Sequence, residues 1–140
     1  MDFVNMEMSS VRVLVVDDFE PFRRFICKTL AKRPNLKVVC EVSDGLEAVQ
    51  KAEELQPDLI FLDIGLPTLN GIAAAREIRT LAPESKIIFV SQESSPDLVH
   101  EALNLGARGY VLKTTAGSDL LAAVDAVLDG RRFLGGGLSD

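Results

Sequence analysis

Residues 58–71 read DLIFLDIGLPTLNG, and the order of residue types in this stretch decides the fold. Leu59 to Leu62 are four consecutive apolar residues, so the strand they form has no polar face. A strand apolar on both sides lies between two layers, as in a parallel sheet covered by helices. Asp63 ends the run, and Gly65, Pro67 and Asn70 mark a loop. Asn70 is also a good N-cap for a helix that carries Ile72, Ala75 and Ile78 toward Leu81.

The same strand–loop–helix unit repeats outward in both directions. Runs rich in β-branched and aliphatic residues begin at Val11 (VRVLVVD), Lys37 (KVVCEV), Lys86 (KIIFV) and Gly109 (GYVLK). The chain between them is long enough each time for a helix that crosses back over the sheet. Phe22, Phe25, Ile26, Thr29 and Leu30 form the expected core stripe of the first helix. Asp44 and Glu47 resemble a capping box opening the second, whose inner face is Ala48, Val49, Ala52 and Leu55. Pro96 suits the first turn of the fourth, and Gly106 its stop. The fifth runs from about Ser118 to Asp129 on Leu120, Leu121, Val124, Val127 and Leu128, and Gly130 ends it. Right-handed crossovers then predict an α/β, doubly wound (βα)5 flavodoxin-like sandwich with a five-stranded parallel sheet of order 2-1-3-4-5. The more polar second strand fits an edge.

Composition agrees with one folded domain and excludes several classes. The chain has 140 residues, 47% hydrophobic and 26% charged, which suits a single core. No apolar run approaches the roughly 20 residues needed to cross a bilayer. The opening MDFVNMEMSS lacks a cationic region, so it does not read as a secretory signal, and the cytoplasm is the expected compartment. Fifteen basic against 21 acidic side chains give a net charge of −6, a poor balance for direct contact with nucleic acid. Two cysteines, Cys27 and Cys40, with one histidine, His100, support neither a disulfide framework nor a zinc site. The expected division is an N-terminal extension over 1–10, one domain over 11–130, and a linker-like tail over 131–140.

In such a sheet, ligands bind beyond the carboxyl ends of the strands. Strand one delivers Asp17 and Asp18 there, strand three Asp63, strand four Ser91 and strand five Lys113. Singly, each has an ordinary explanation as a cap, a turn residue or a solvated strand end. Together they bring three acids to one mouth, and two carboxylates at 4 Å repel by about 4 kcal/mol at an effective dielectric of 20. Three negative charges and one lysine leave −2, which one divalent cation cancels. Oxygen-only ligands favour Mg2+ or Mn2+, and Mg2+ keeps open positions for phosphate oxygens. The mouth is therefore suited to a phosphoryl group, with one of its carboxylates as the acceptor.

VLVVDD in the first unit, LIFLDIGLPTLNG in the third, VS ending the fourth strand and GARGYVLK at the fifth resemble the receiver domain of two-component response regulators. The resemblance covers roughly residues 11–130, and GARGYVLK with DGRRFL is most similar to the NarL/FixJ group, whose receivers precede a LuxR-type helix-turn-helix domain. It implies that Asp63 is the phosphoacceptor for a sensor histidine kinase. It also implies that Asp18, Asp63 and the Gly65 carbonyl ligate Mg2+, with Asp17 acting through water, and that Lys113 and Ser91 bind phosphoryl oxygens. Ser91 and Tyr110 become the switch pair, altering the face of helix four, strand five and helix five. Gly65 and Gln92 depart from the family pattern at positions that govern access to the acceptor, which implies an unusual aspartyl-phosphate lifetime. Thr114 stands where relatives often carry proline, so no cis peptide is expected there.

The resemblance implies a phosphorelay component rather than an enzyme, a homodimer promoted by phosphorylation through either helices one and five or the face of helices four and five, and DNA binding only by a further C-terminal domain. A fragment of a transcription regulator is the expectation, and a stand-alone receiver the alternative. A receiver acting as a phosphorylation-independent interaction module is the main rival function. An aspartyl phosphatase would place D-x-D where DDFE stands, and a flavin or nucleotide binder would need a phosphate loop in place of the two acids.

Overall fold

A computed structural model of the chain describes residues 10–139. Nearly all of the expected N-terminal extension lies outside them. Strands β1 (Val11–Val16), β2 (Leu36–Val42), β3 (Leu59–Leu62), β4 (Lys86–Ser91) and β5 (Gly109–Leu112) alternate with helices α1 (Glu20–Leu30), α2 (Gly45–Leu55), α3 (Gly71–Leu81), α4 (Pro96–Asn104) and α5 (Ala116–Leu128). A two-residue strand, β6 (Phe133–Leu134), follows α5. All pairings are parallel, in the order β2-β1-β3-β4-β5-β6. The doubly wound architecture and the 2-1-3-4-5 order are those expected, and β6 extends them by one strand.

Alternation along β1 divides the core. Leu14 and Val16 face a cluster with Ala48, Val49 and Ala52 of α2, Ile72, Ala75 and Ile78 of α3, and Val99 of α4. Val13 and Val15 face Ile26 and Leu30 of α1 and Leu120, Val124 and Val127 of α5. Helices thus cover both faces, which is why β3 and β4 can be apolar throughout. Asp44 accepts the Glu47 N–H at 2.7 Å and Asn70 accepts the Ala73 N–H at 2.9 Å, so each residue caps the helix it is expected to open.

Two expected core positions, Phe25 and Leu128, are exposed, and so is Leu81 where α3 ends, because each helix buries a narrower stripe than its apolar pattern suggests. In α1 that stripe is Ile26, Thr29 and Leu30, while Phe25 tilts against Phe22 with ring centroids 5.4 Å apart. Leu81 and Leu128 are the last residues of their helices. α5 starts at Ala116 rather than Ser118, after a 3-10 turn over Lys113–Thr115. No cis peptide occurs among the described residues. The register between β1 and β2 slips after Val13, and Val39 is left exposed there. Among the described residues no helix is long and apolar enough to cross a membrane.

Candidate phosphoryl site at the carboxyl edge of the sheet

The topology brings the predicted residues together. β1 ends at Val16, and Asp17 follows it into a fully buried position, while Asp18 is exposed at the rim. β3 delivers Asp63, 8% exposed, and β4 ends in Ser91, 1% exposed. Asp17, Asp18 and Asp63 offer carboxylate oxygens that lie within 4.8 Å of one another. An open cleft of about 440 Å³ lies over Asp18 and Asp63, lined also by Gly65, Ser91, Gln92, Glu93 and Lys113, with Asp17 buried behind it.

Local backbone structure aims these groups. The Phe19 N–H donates to Asp17 Oδ1 at 2.9 Å, and the Ile64 N–H donates to Asp63 Oδ1 at 2.8 Å. The second oxygens of both acids are left for Lys113, whose Nζ lies 2.9 Å from Asp17 Oδ2 and 3.4 Å from Asp63 Oδ2. Gly71 sets how closely α3 approaches this loop, since a Cβ there would run into the Asp63 carbonyl and the Ile64 Cα. Gly65 differs, because a Cβ at that position would meet open space.

Charge is unevenly compensated. Burial, then the neighbouring Asp17, push the Asp63 carboxyl above its ordinary value, against Lys113 and the Ile64 N–H. Burial works against the Lys113 ammonium, but Asp17 and Asp63 outweigh it and hold its pKa above the usual lysine value. One ammonium among three carboxylates leaves the cleft negative. The donor set is all oxygen, and Asp17 Oδ2 is buried with no hydrogen bond beyond its ion pair with Lys113. These residues fit a hard divalent cation.

Tyr110 is fully buried, its ring centroid 6.2 Å from that of Phe89. Its hydroxyl donates to the Glu93 carbonyl at 2.7 Å, and the Glu93 N–H donates to Ser91 Oγ at 3.0 Å. Two participants escaped the sequence reading. Phe22, assigned only to the core stripe, lies with its ring centroid 4.7 Å from Lys113 Nζ and supports the ammonium from the apolar side. Glu93 joins the cleft to Tyr110 through its backbone, which no side-chain pattern announces.

Residues 13–125 match the family model of the response regulator receiver domain, and the chain belongs to that family. It is 32% identical over 126 residues to the transcriptional regulatory protein DegU of Brevibacillus brevis, covering 90% of this chain and 53% of that protein. A crystal structure of a LuxR-family two-component response regulator from Aurantimonas superposes with a TM-score of 0.84 at 32% identity, covering 89% of each chain. The signal receiver domain of NarL from Mycobacterium tuberculosis gives a TM-score of 0.81 at 30% identity, covering 87% of this chain and 98% of that one. These likenesses place the chain with the NarL/FixJ group as a response regulator receiver, a signalling domain. The chain spans about half the length of DegU.

Proposed function

We propose that the chain accepts a phosphoryl group on Asp63 from the phosphohistidine of a sensor histidine kinase. The observation that carries this reading is the buried Asp63 carboxylate with Lys113 Nζ 3.4 Å from one oxygen and an open cleft above it. In the transfer, an Asp63 oxygen forms a bond to phosphorus as the phosphorus–nitrogen bond breaks, and the imidazole leaves with the bonding pair. Lys113 neutralises a phosphoryl oxygen, and the Ser91 hydroxyl donates to another. Asp18, Asp63 and the Gly65 carbonyl would hold Mg2+, or Mn2+, with Asp17 acting through a water. When bound, the ion neutralises charge on the phosphoryl oxygens.

Gly65 and Gln92 leave the acceptor more or less open to water and so set the lifetime of the aspartyl phosphate. Ser91 and Tyr110 act as the switch that alters the face made by α4, β5 and α5. The receiver unit over residues 11–130, with β6 added at its sheet edge, belongs to a cytoplasmic regulator and acts as a phosphoacceptor rather than as an enzyme with an external product. DNA binding belongs to a part of the parent protein outside this chain, with dimerisation through α5 accompanying phosphorylation.

Intact-mass spectrometry after incubation with acetyl phosphate and Mg2+ tests the acceptor. A single phosphoryl adduct is expected, absent without metal and reduced at least about 100-fold in Asp63→Asn, because the nucleophile itself is removed. An adduct of equal yield in Asp63→Asn moves the acceptor elsewhere. No adduct while Mg2+ binds favours the phosphorylation-independent interaction module.

A further inference from the structure

The segment after α5 is built into the fold. The Phe133 N–H donates to the Arg108 carbonyl and the Gly135 N–H to the Tyr110 carbonyl, both at 3.0 Å. These bonds set the register in which Leu134 stands beside Tyr110. Phe133 packs on the core beneath α1 and α5, while Leu134 and Leu138 pack on the opposite core, which contains Tyr110. The three glycines here form a turn. A Cβ on Gly135 would lie 2.6 Å from Asp119 Oδ2, and that oxygen accepts from Thr115 Oγ1 at 2.8 Å. Gly136 and Gly137 take left-handed φ values of 55° and 82°, which bring the Leu138 N–H to the Gly135 carbonyl at 3.1 Å.

Three hydrogen bonds in succession join this segment to the cleft. Ser91 Oγ accepts from the Glu93 N–H, the Glu93 carbonyl accepts from the Tyr110 hydroxyl, and the Tyr110 carbonyl accepts from the Gly135 N–H. Ser91 Oγ accepts from the Glu93 N–H and also lies in hydrogen-bonding reach of the Tyr110 side chain, and its own proton can turn from there to an anionic oxygen in the cleft that Ser91 lines. Such a donation pins Ser91, and with it the Glu93 backbone that Tyr110 needs. Leu134 projects from the same sheet face as Tyr110 and flanks it on the edge side, so the ring cannot swing toward the sheet edge while β6 is docked.

We infer that residues 131–138 are an output strap, docked on β5 and tightened through Ser91, Glu93 and Tyr110 when a phosphoryl group occupies Asp63. This inference rests on Asp63 being the acceptor. Signal then leaves the domain through the backbone of the strap as well as through the surfaces of α4 and α5. Coupling between two equilibria is reciprocal, so releasing the strap weakens phosphoryl-mimic binding by the factor through which the mimic tightens the strap.

The test is hydrogen–deuterium exchange of the full 140-residue chain with Mg2+ alone and with Mg2+ plus beryllofluoride as the phosphoryl mimic. Peptides covering 131–138 are expected to exchange at least about fivefold more slowly with the mimic, the lower end of typical coupling. Leu134→Asp is expected to weaken beryllofluoride binding by the same factor. Tyr110→Phe, which keeps the ring and loses the Glu93 bond, is expected to bind the mimic without slowing the strap, and it carries the test if Leu134→Asp does not fold. Mimic binding with unchanged strap exchange, or unchanged affinity in Leu134→Asp, overturns the strap and leaves the acceptor reading standing. Failure of the wild type to bind beryllofluoride while Mg2+ binds overturns both.

Discussion

Asp63 and Asp125 are the same residue type, each within reach of a basic side chain, and they titrate in opposite directions. Asp125, on the outer surface of α5, meets Arg33 through two contacts of 2.7 and 3.1 Å, and that hydrogen bonding holds its carboxyl below the ordinary value. Asp63 has Lys113 at 3.4 Å, yet burial and Asp17 hold it above. On the surface, water stabilises both charges and the pair adds a little. In the cleft, water is partly excluded and the acids outnumber the lysine, so ionisation works against the fold. Among the described residues, acids crowd closely enough to share a cation at the mouth where β1 and β3 end. A site whose charges are costly when uncompensated is poised to gain free energy from a bound cation and, on the proposed function, from a phosphoryl group.

Removing Lys113 breaks this contrast most severely. Lys113→Met leaves Asp17 and Asp63 facing each other without a cation, and the loss of one partner from a buried pair destabilises by about 3 kcal/mol. Urea unfolding without divalent metal measures it, and a loss below about 0.5 kcal/mol would show that the acids are already solvated. The opposite change comes next in size. Asp63→Asn removes a charge the fold resists, and it is expected to raise metal-free stability by about 1 kcal/mol, or 2–4 °C in Tm. The direction follows from linkage. Because the folded-state pKa of Asp63 is raised, the folded state binds its proton more tightly than the unfolded chain does. That contribution is fully present below the unfolded value of about 3.9 and is lost as pH rises through the raised folded one. Asp125 runs the other way, its contribution being lost as pH falls through its depressed value. A metal-free melt of Asp63→Asn against pH should therefore lose part of the wild type's gain in the weakly acid range. Identical curves for the two proteins would remove Asp63 as a buried, repelled charge.

How much of this was legible in the sequence follows from which forces act locally. Strand identity, the caps at Asp44 and Asn70, and the arrival of Asp17, Asp18, Asp63, Ser91 and Lys113 at one edge depend on periodicity and strand order, which a linear pattern carries. The exposure of Phe25 and Leu128 was hidden, because an apolar stripe does not reveal how much of a helix the neighbouring layer covers. Strand β6 was hidden because its two residues sit between arginines and glycines, which read as a linker. Its stability comes from pairing with β5 and from apolar contacts made across the sheet. The contact between Phe22 and Lys113 spans two elements and has no signature in either.

The smallest expected effect sharpens the comparison from the surface side. Arg76 of α3 and Glu101 of α4 approach to 2.6 Å, closer than Lys113 comes to Asp63, and both side chains are about half exposed. If distance alone set the strength of an ion pair, Arg76→Ala would be the more damaging substitution. In water the attraction between such charges is weak, salt screens it, and holding two long side chains together costs rotamer freedom. Arg76→Ala is therefore expected to change unfolding stability by less than about 0.5 kcal/mol, and the difference should shrink further in 1 M salt. The pair also bridges α3 and α4 beside a groove that contains Gly65. A loss of 2 kcal/mol or more that persists in high salt would show that Arg76 and Glu101 hold α4 in place, and that the division between a charged, ligand-seeking cleft and an indifferent surface is drawn in the wrong place.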